Sequence, residues 1–298
     1  MGVAAVYLNA SVEEEFFLKQ SPSFPLSPVT YRLCAACRFR VKDLGSLSRV
    51  LGIEVRRDRP NGTITISQGS YIRKVLKRYG FDECQGVPTP VEGTVKISAP
   101  ESADKPSEPK SETSTEYRGM VGSLMYASTG TRSDIAYAVH QAVRRMEDPW
   151  FFYLGWAEDV EDRKSTTGYV FKLNGGAISW RSRKQQLVTW SSTEVEYVAA
   201  GEAGKETVYL RDLLGSIGFG CRGSTTLFED NKSAINLSKG SGTYCRTKHI
   251  GVRWHGIREG VREGVLALNY VQTGDQLADN ITKGLSRVQS QRLRNLLM

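Results

Sequence analysis

Leu187 to Ala200 reads LVTWSSTEVEYVAA, and the reading of this stretch decides the fold. An apolar run of strand character gives way at Ser191 to a helix that opens with carboxylates. Ser191 and Glu194 form an S-x-x-E capping box, and Val195, Val198 and Ala199 begin an apolar stripe at helical spacing. Glu196 then falls in about the first helical turn, close to the end of the preceding strand, a placement that suits a metal ligand. The plainer reading, a solvated carboxylate drawn to the positive end of a helix, is favoured by the pattern alone.

The downstream sequence changes that balance. TTLFEDNKSAINL (Thr225 to Leu237) predicts a short strand that delivers Asp230 at its tip, followed by a helix. DQLADNITKGL (Asp275 to Leu285) places Asp279 on another short helix, after the strand LALNYV (Leu266 to Val271). Three carboxylates at strand ends and helix starts can converge on divalent cations, which take oxygen ligands and activate water against a phosphodiester.

Further phrases widen the pattern. They are DRKSTTGYVFKLNGGAISWRSRKQQ (Asp162 to Gln186), SSTEVEY (Ser191 to Tyr197), EDNKSAI (Glu229 to Ile235), RTKHIGVRWHGIRE (Arg246 to Glu259) and QLADNITK (Gln276 to Lys283). Together they resemble the Pol polyprotein of copia-type long-terminal-repeat retrotransposons. Upstream, VKDLGSLSRVLGIEV (Val41 to Val55), ISQGSYIRKVL (Ile66 to Leu76) and YRGMVGSLMYASTGTRSDIAYAV (Tyr117 to Val139) look like the end of its reverse-transcriptase domain and the connection that follows. The resemblance is collinear and covers nearly the whole chain.

The resemblance implies a ribonuclease H domain over residues 151–298, with an α/β fold in which a mixed sheet is flanked by helices. It also implies cleavage of the RNA strand of an RNA–DNA hybrid with carboxylate-bound Mg or Mn. Glu196, Asp230 and Asp279 match three of the four acidic positions, as catalytic residues and metal ligands. The fourth belongs in a phrase of the type Y-S-D-A-D-W-A-G-D. This chain reads Phe151, Phe152, Tyr153, Leu154, Gly155, Trp156, Ala157, Glu158, Asp159, with Tyr153 in the aspartate's place. A two-metal site holds its ions about 3.5 to 4 Å apart through several carboxylates, and a phenol with a reference pKa of about 10 replaces none of that charge. Glu158 and Asp159 lie too far along to be substitutes.

The polymerase half departs in the same way. Met1 to Phe24 resembles a phrase beginning D-V-x-x-A-F-L-N-G, but Gly2 stands where the aspartate belongs, and no Y-x-D-D occurs anywhere. Tyr31 to Cys37 runs directly into Arg38 to Gly45, where the resemblance calls for an intervening segment. A second excision is expected within Met146 to Trp156. The expectation is therefore a degenerate Pol fragment that has lost reverse transcription and, with Tyr153, hybrid cleavage. A working ribonuclease H and a host-recruited, non-catalytic interaction module are the alternatives.

With 298 residues, 40% of them hydrophobic, the chain has material for about two domains with real cores. Its apolar runs are too short to span a bilayer, and no secretory signal is legible at Met1 to Leu8. Five irregularly spaced cysteines, including a lone C-x-x-C at Cys34 and Cys37, argue for a reducing compartment rather than a disulfide framework. An intracellular site, cytoplasmic or nuclear, is expected. The formal charge is +8, and residues 239–298 alone carry +6, which suits an RNA–DNA hybrid or other nucleic acid and no membrane.

Punctuation divides the chain into a truncated reverse-transcriptase remnant (1–91), a polar linker (92–116), a helical connection (117–149) and the ribonuclease H-like domain (151–298). In the remnant, SYIRKVLKRYG predicts a basic helix ended by Gly80. Gly175 and Gly176 predict a hairpin turn between Tyr169–Leu173 and Ala177–Trp180. Lys248 to Glu259 reads as a basic helix carrying His249 and His255, and His140 reads as an ordinary helix residue.

Overall fold

Alternating strand and helix patterns of the kind just described form layered α/β structure, and the computed structural model of the chain is of this class. It describes residues 46–91, 111–144, 146, 165–185, 191–240 and 256–297, together with the backbone strands 15–18 and 31–33. The chain divides into two units, Met1–Lys74 and Val75–Met298. The division is coarser than the sequence boundaries, and it places the helical connection in the same unit as everything C-terminal to it.

In the first unit, β1 (Glu15–Leu18) pairs antiparallel with β2 (Tyr31–Leu33). A meander follows: β3 (Arg49–Val50), β4 (Ile53–Asp58) and β5 (Thr63–Ser67), all antiparallel. Asp58 closes the second turn by accepting from the backbone and side chain of Asn61 at 3.2 and 2.7 Å. Helix α1 (Gly69–Arg78) begins in this unit and ends in the next, where Gly80 adopts φ +73°. The Phe81 N–H donates to the Leu76 carbonyl at 2.8 Å and the Gly80 N–H to that of Lys77, which makes a Schellman cap of the glycine stop expected there.

After the end of α1 the second unit continues with α2 (Ser111–Gly130), which starts inside the polar stretch assigned to the linker; residues 92–110 of that stretch lie outside the described residues. A 3₁₀ turn (Ser133–Ile135) leads into α3 (Ala136–Val143). In these helices Val121, Ala127 and Val139 are buried, whereas Met125 is 40% exposed. Helix α3 meets the next element through an unexpected contact. The Lys184 backbone N–H donates to His140 Nε2 at 3.1 Å, so His140 is a neutral acceptor joining helix to strand rather than an ordinary helix residue.

That strand belongs to an antiparallel hairpin, β6 (Thr166–Leu173) and β7 (Gly176–Lys184), longer on both sides than predicted. The turn is Asn174–Gly175, both at positive φ, the type I′ pattern; Gly176 is already in the strand. The Trp180 indole N–H donates to the Ser128 carbonyl at 2.9 Å, fixing the hairpin to α2. The strand expected at Leu187–Trp190 lies outside the described residues.

Helix α4 (Ser192–Ser216) then runs for 25 residues, about 37 Å, behind both the hairpin and a parallel pair. The pair is β8 (Thr225–Glu229) with β9 (Leu266–Tyr270), in register from Thr225↔Leu266 to Glu229↔Tyr270. Between them in sequence lie α5 (Lys232–Ser238) and α6 (Gly256–Arg262), and after them two 3₁₀ turns (Thr273–Asp275, Leu277–Ile281) and α7 (Arg287–Leu297). Tyr197, Ala200, Ile235, Leu237, Ile257, Leu266 and Leu268 form the core. Of the predicted α4 stripe, Val198 is buried, while Val195 and Ala199 are only half-buried; the buried face runs instead through Glu194, Tyr197, Gly201, Gly204 and Thr207. Among the described residues the hairpin and the parallel pair are separate sheets.

Candidate metal centre

Three local features bring the acids together. Ser191 caps α4, its hydroxyl accepting from the Glu194 N–H at 3.3 Å, and this fixes where the first helical turn points Glu196. At the end of β8, Asn231 caps α5 by accepting from the N–H groups of Ser233 and Ala234 at 2.9 and 3.1 Å, so the chain turns sharply at Asp230. Finally, the 3₁₀ turn carrying Asp279 lies against β6, where only glycine fits. A Cβ on Gly168 would stand 2.5 Å from the Arg181 carbonyl oxygen and 2.7 Å from Thr282 Cγ2.

Glu196, Glu229 and Asp230 each offer an oxygen, and these oxygens lie within 4.8 Å of one another. Glu196 and Asp230 are therefore juxtaposed as the sequence suggested. Asp279 is close enough to raise the pKa of Glu196, yet it stands outside the trio and is ion-paired to Lys283 at 2.8 Å. Glu229, which sequence reasoning passed over, is the most buried of the trio, at 6% exposure. Successive residues in a strand face opposite sides, so Asp230 would be expected to turn away from its neighbour. The strand stops at Glu229 and the capped turn returns Asp230 to the same side. An adjacent acid pair directly before an Asn N-cap was the available signal. Tyr153, Glu158 and Asp159 lie outside the described residues, as do His249 and His255.

Electrostatics mark the centre as strained by its own charge. Burial, then the charge of Glu196, pushes the Glu229 carboxyl up to about 8, although it accepts a 3.0 Å hydrogen bond from the Asn231 N–H. Glu196 is raised by burial and then by Asp230, with Asp279 adding to it and Lys283 opposing. Asp279 is raised by burial despite its bond to Lys283. For Lys283 burial acts downward, but the hydrogen bond to Asp279 and the charges of Asp279, Glu196 and Asp230 outweigh it and raise the pKa. Hard oxygen donors, clustered and mutually repelling, suit a divalent cation of the Mg or Mn type: the ion would bind Glu196, Glu229 and Asp230 and relieve their repulsion.

The basic C-terminal stretch is less free than its composition suggests. Arg258 donates to the Leu237 carbonyl at 3.0 Å and lies over the Tyr197 ring, Arg292 pairs with Asp275, Arg294 reaches the Pro88 carbonyl, and Lys283 is held by Asp279. Part of the +6 is spent on structure. Helix α6 is described only from Gly256, so most of the basic helix predicted over Lys248–Glu259 lies outside the described residues. No helix among the described residues is long and apolar enough to cross a membrane.

No family model matches the chain, and no solved structure does. Known proteins do match. The chain is 36% identical over 282 residues to the retrovirus-related Pol polyprotein from transposon TNT 1-94 of Nicotiana tabacum, covering 84% of this chain and 21% of that protein. Its likeness to the retrovirus-related Pol polyproteins from transposons RE1 and RE2 of Arabidopsis thaliana is 35% over 284 residues and 34% over 285, each covering 84% of this chain and 19% of the relative. The chain thus spans about a fifth of the length of these relatives. Set beside the collinear phrases of the sequence, these matches place the chain in the family of copia-type, retrovirus-related Pol polyproteins.

Proposed function

We propose that the chain is an internally shortened Pol fragment whose C-terminal unit is ribonuclease H-like, binds RNA–DNA hybrid or related nucleic acid, and has lost polymerase activity and efficient hybrid cleavage. The observation that carries the reading is the convergence of Glu196, Glu229 and Asp230 within 4.8 Å at the tip of β8. A divalent ion held there would supply a Lewis acid for a phosphodiester and an activated water. The protein's part is to fix the carboxylates from a capped helix and a capped turn, with Asp279 brought close by the Gly168 contact. Shortening is supported by the alignments, which run over 282 residues or more while taking up only 84% of a 298-residue chain. Loss of catalysis rests on Tyr153 and on the absence of Y-x-D-D from the sequence.

One observation favours a second reading, an active ribonuclease H. Glu229 brings the local acids to four without Tyr153, and it is better placed for this than Glu158 or Asp159 were on sequence grounds. Hybrid binding and cleavage by the full chain, with Mg²⁺ or Mn²⁺, separate the two. The expected result is binding that weakens steeply with salt, no cleavage above background, and metal-dependent cleavage gained by Tyr153→Asp and lost again on adding Glu196→Gln. Efficient cleavage by the unmodified chain, abolished by Glu229→Gln, would establish the active reading. Absence of binding at low salt would remove nucleic acid as the partner.

A further inference from the structure

A centre built to hold divalent ions on acids alone has no need of a lysine, yet Lys283 stands in this one. Its Nζ lies 2.8 Å from Asp279 Oδ1, and its charge is felt by Glu196 as well. The acids are thereby divided. Glu196, Glu229 and Asp230 share one small volume, while Asp279 stands apart with its own cation. We propose that Lys283 is a resident cation of the centre, neutralising Asp279 in place of a second divalent ion, so that the chain takes up one ion on the trio rather than a pair. The inference rests on the divalent-ion reading of these carboxylates.

The geometry gives the lysine two advantages over a dissolved ion. It is tethered four residues from Asp279, so its effective concentration at that carboxylate is high and independent of the solution. It also carries a single charge, so it neutralises Asp279 while repelling the ion on the trio less than another dication would. The Lys283 side chain is 49% exposed, which leaves it an aqueous path away from Asp279 once the competing charge is large enough.

Titration of the full chain with Mn²⁺, read by calorimetry and by electron paramagnetic resonance, tests the assignment. The unmodified chain and Lys283→Arg are expected to take one Mn²⁺, and Lys283→Met a second, more weakly held at Asp279. Glu196→Gln should release the ion. Two ions in the unmodified chain, or one ion of unchanged Kd in both it and Lys283→Met, would overturn the role of Lys283 and leave the trio's metal reading standing. A chain that binds no Mn²⁺, or binds it as well after Glu196→Gln, would overturn that reading and this inference with it.

Discussion

Helix α4 carries two half-buried glutamates ten residues apart whose surroundings are opposite. Glu206 accepts from the Tyr169 hydroxyl at 3.1 Å and the Ser179 hydroxyl at 2.6 Å, and through them it fastens the hairpin to the helix. Glu196 faces Glu229, Asp230 and Asp279. The first carboxylate is satisfied by neutral donors; its charge, after burial, raises the Tyr169 phenol to about 12, so the contact stays intact across the physiological range. The second is kept among like charges that Lys283 offsets only in part, an arrangement that lowers stability unless a further cation is supplied. A carboxylate's role in this fold is therefore decided by what meets it, and residue type and helical position alone do not decide it.

The sharpest test of that contrast is pH. Glu229 is raised from 4.5 to about 8 by burial and by Glu196, so the folded chain binds its proton more tightly than the unfolded chain does. Stability from this group is complete below about 4.5 and is lost as pH rises through about 8. His140 works the other way: burial, then Arg144, Arg183 and Lys184, lower its pKa, so its contribution is present above the ordinary histidine range and falls away in acid. Denaturant unfolding between pH 6.5 and 8 should show stability falling with pH in the wild type. Glu229→Gln should flatten that decline; an unchanged slope would mean that Glu229 is not held among the acids as described.

Next in size is Gly168→Ala. Its Cβ would meet a backbone oxygen that cannot step aside, so a loss of about 1–3 kcal/mol is expected as the Asp279 turn is pushed off β6. Full stability in the alanine variant would mean that this contact does not seat the turn. Glu206→Ala should lower stability by about 1 kcal/mol, since the hydroxyls it leaves are only part-buried. Mn²⁺ binding should be untouched there, and a variant that lost ion affinity would erase the distinction between the two glutamates. The smallest effect is expected for Ser191→Gly, a few tenths of a kcal/mol, because glycine is a tolerable N-cap. Thermal unfolding beside Ser191→Ala, expected to lose more, checks whether the cap acts as drawn.

Much of the centre was legible because its signals are local. The S-x-x-E start fixed the phase of Glu196, the strand-to-helix switch put Asp230 at a tip, and DNITK already held an acid and a lysine at i and i+4. What escaped depends on contacts between distant segments. Glu229 joins the trio only because an Asn cap turns the chain, His140 matters only because the Lys184 amide reaches it, and Gly168 is required only because the 281–282 turn lies on top of it. The Asn174–Gly175 turn was displaced by one residue for a local reason: type I′ geometry needs two positive-φ positions, and asparagine supplies the first as readily as glycine.

The parallel pairing of β8 with β9 also orders events in time. The hairpin can close through its two-residue turn in about 1–10 μs, whereas Thr225 must find Leu266 across a long intervening stretch before Asp230 has a strand end to stand on. Non-local closure of this kind is the slow step in folding. Each newly made molecule should therefore hold its hairpin before its acids can converge, and pulsed hydrogen exchange should protect Phe171 and Trp180 earlier than Leu227 and Leu268. In a cell, the interval between those two moments is the time during which the chain has a scaffold and no acidic centre.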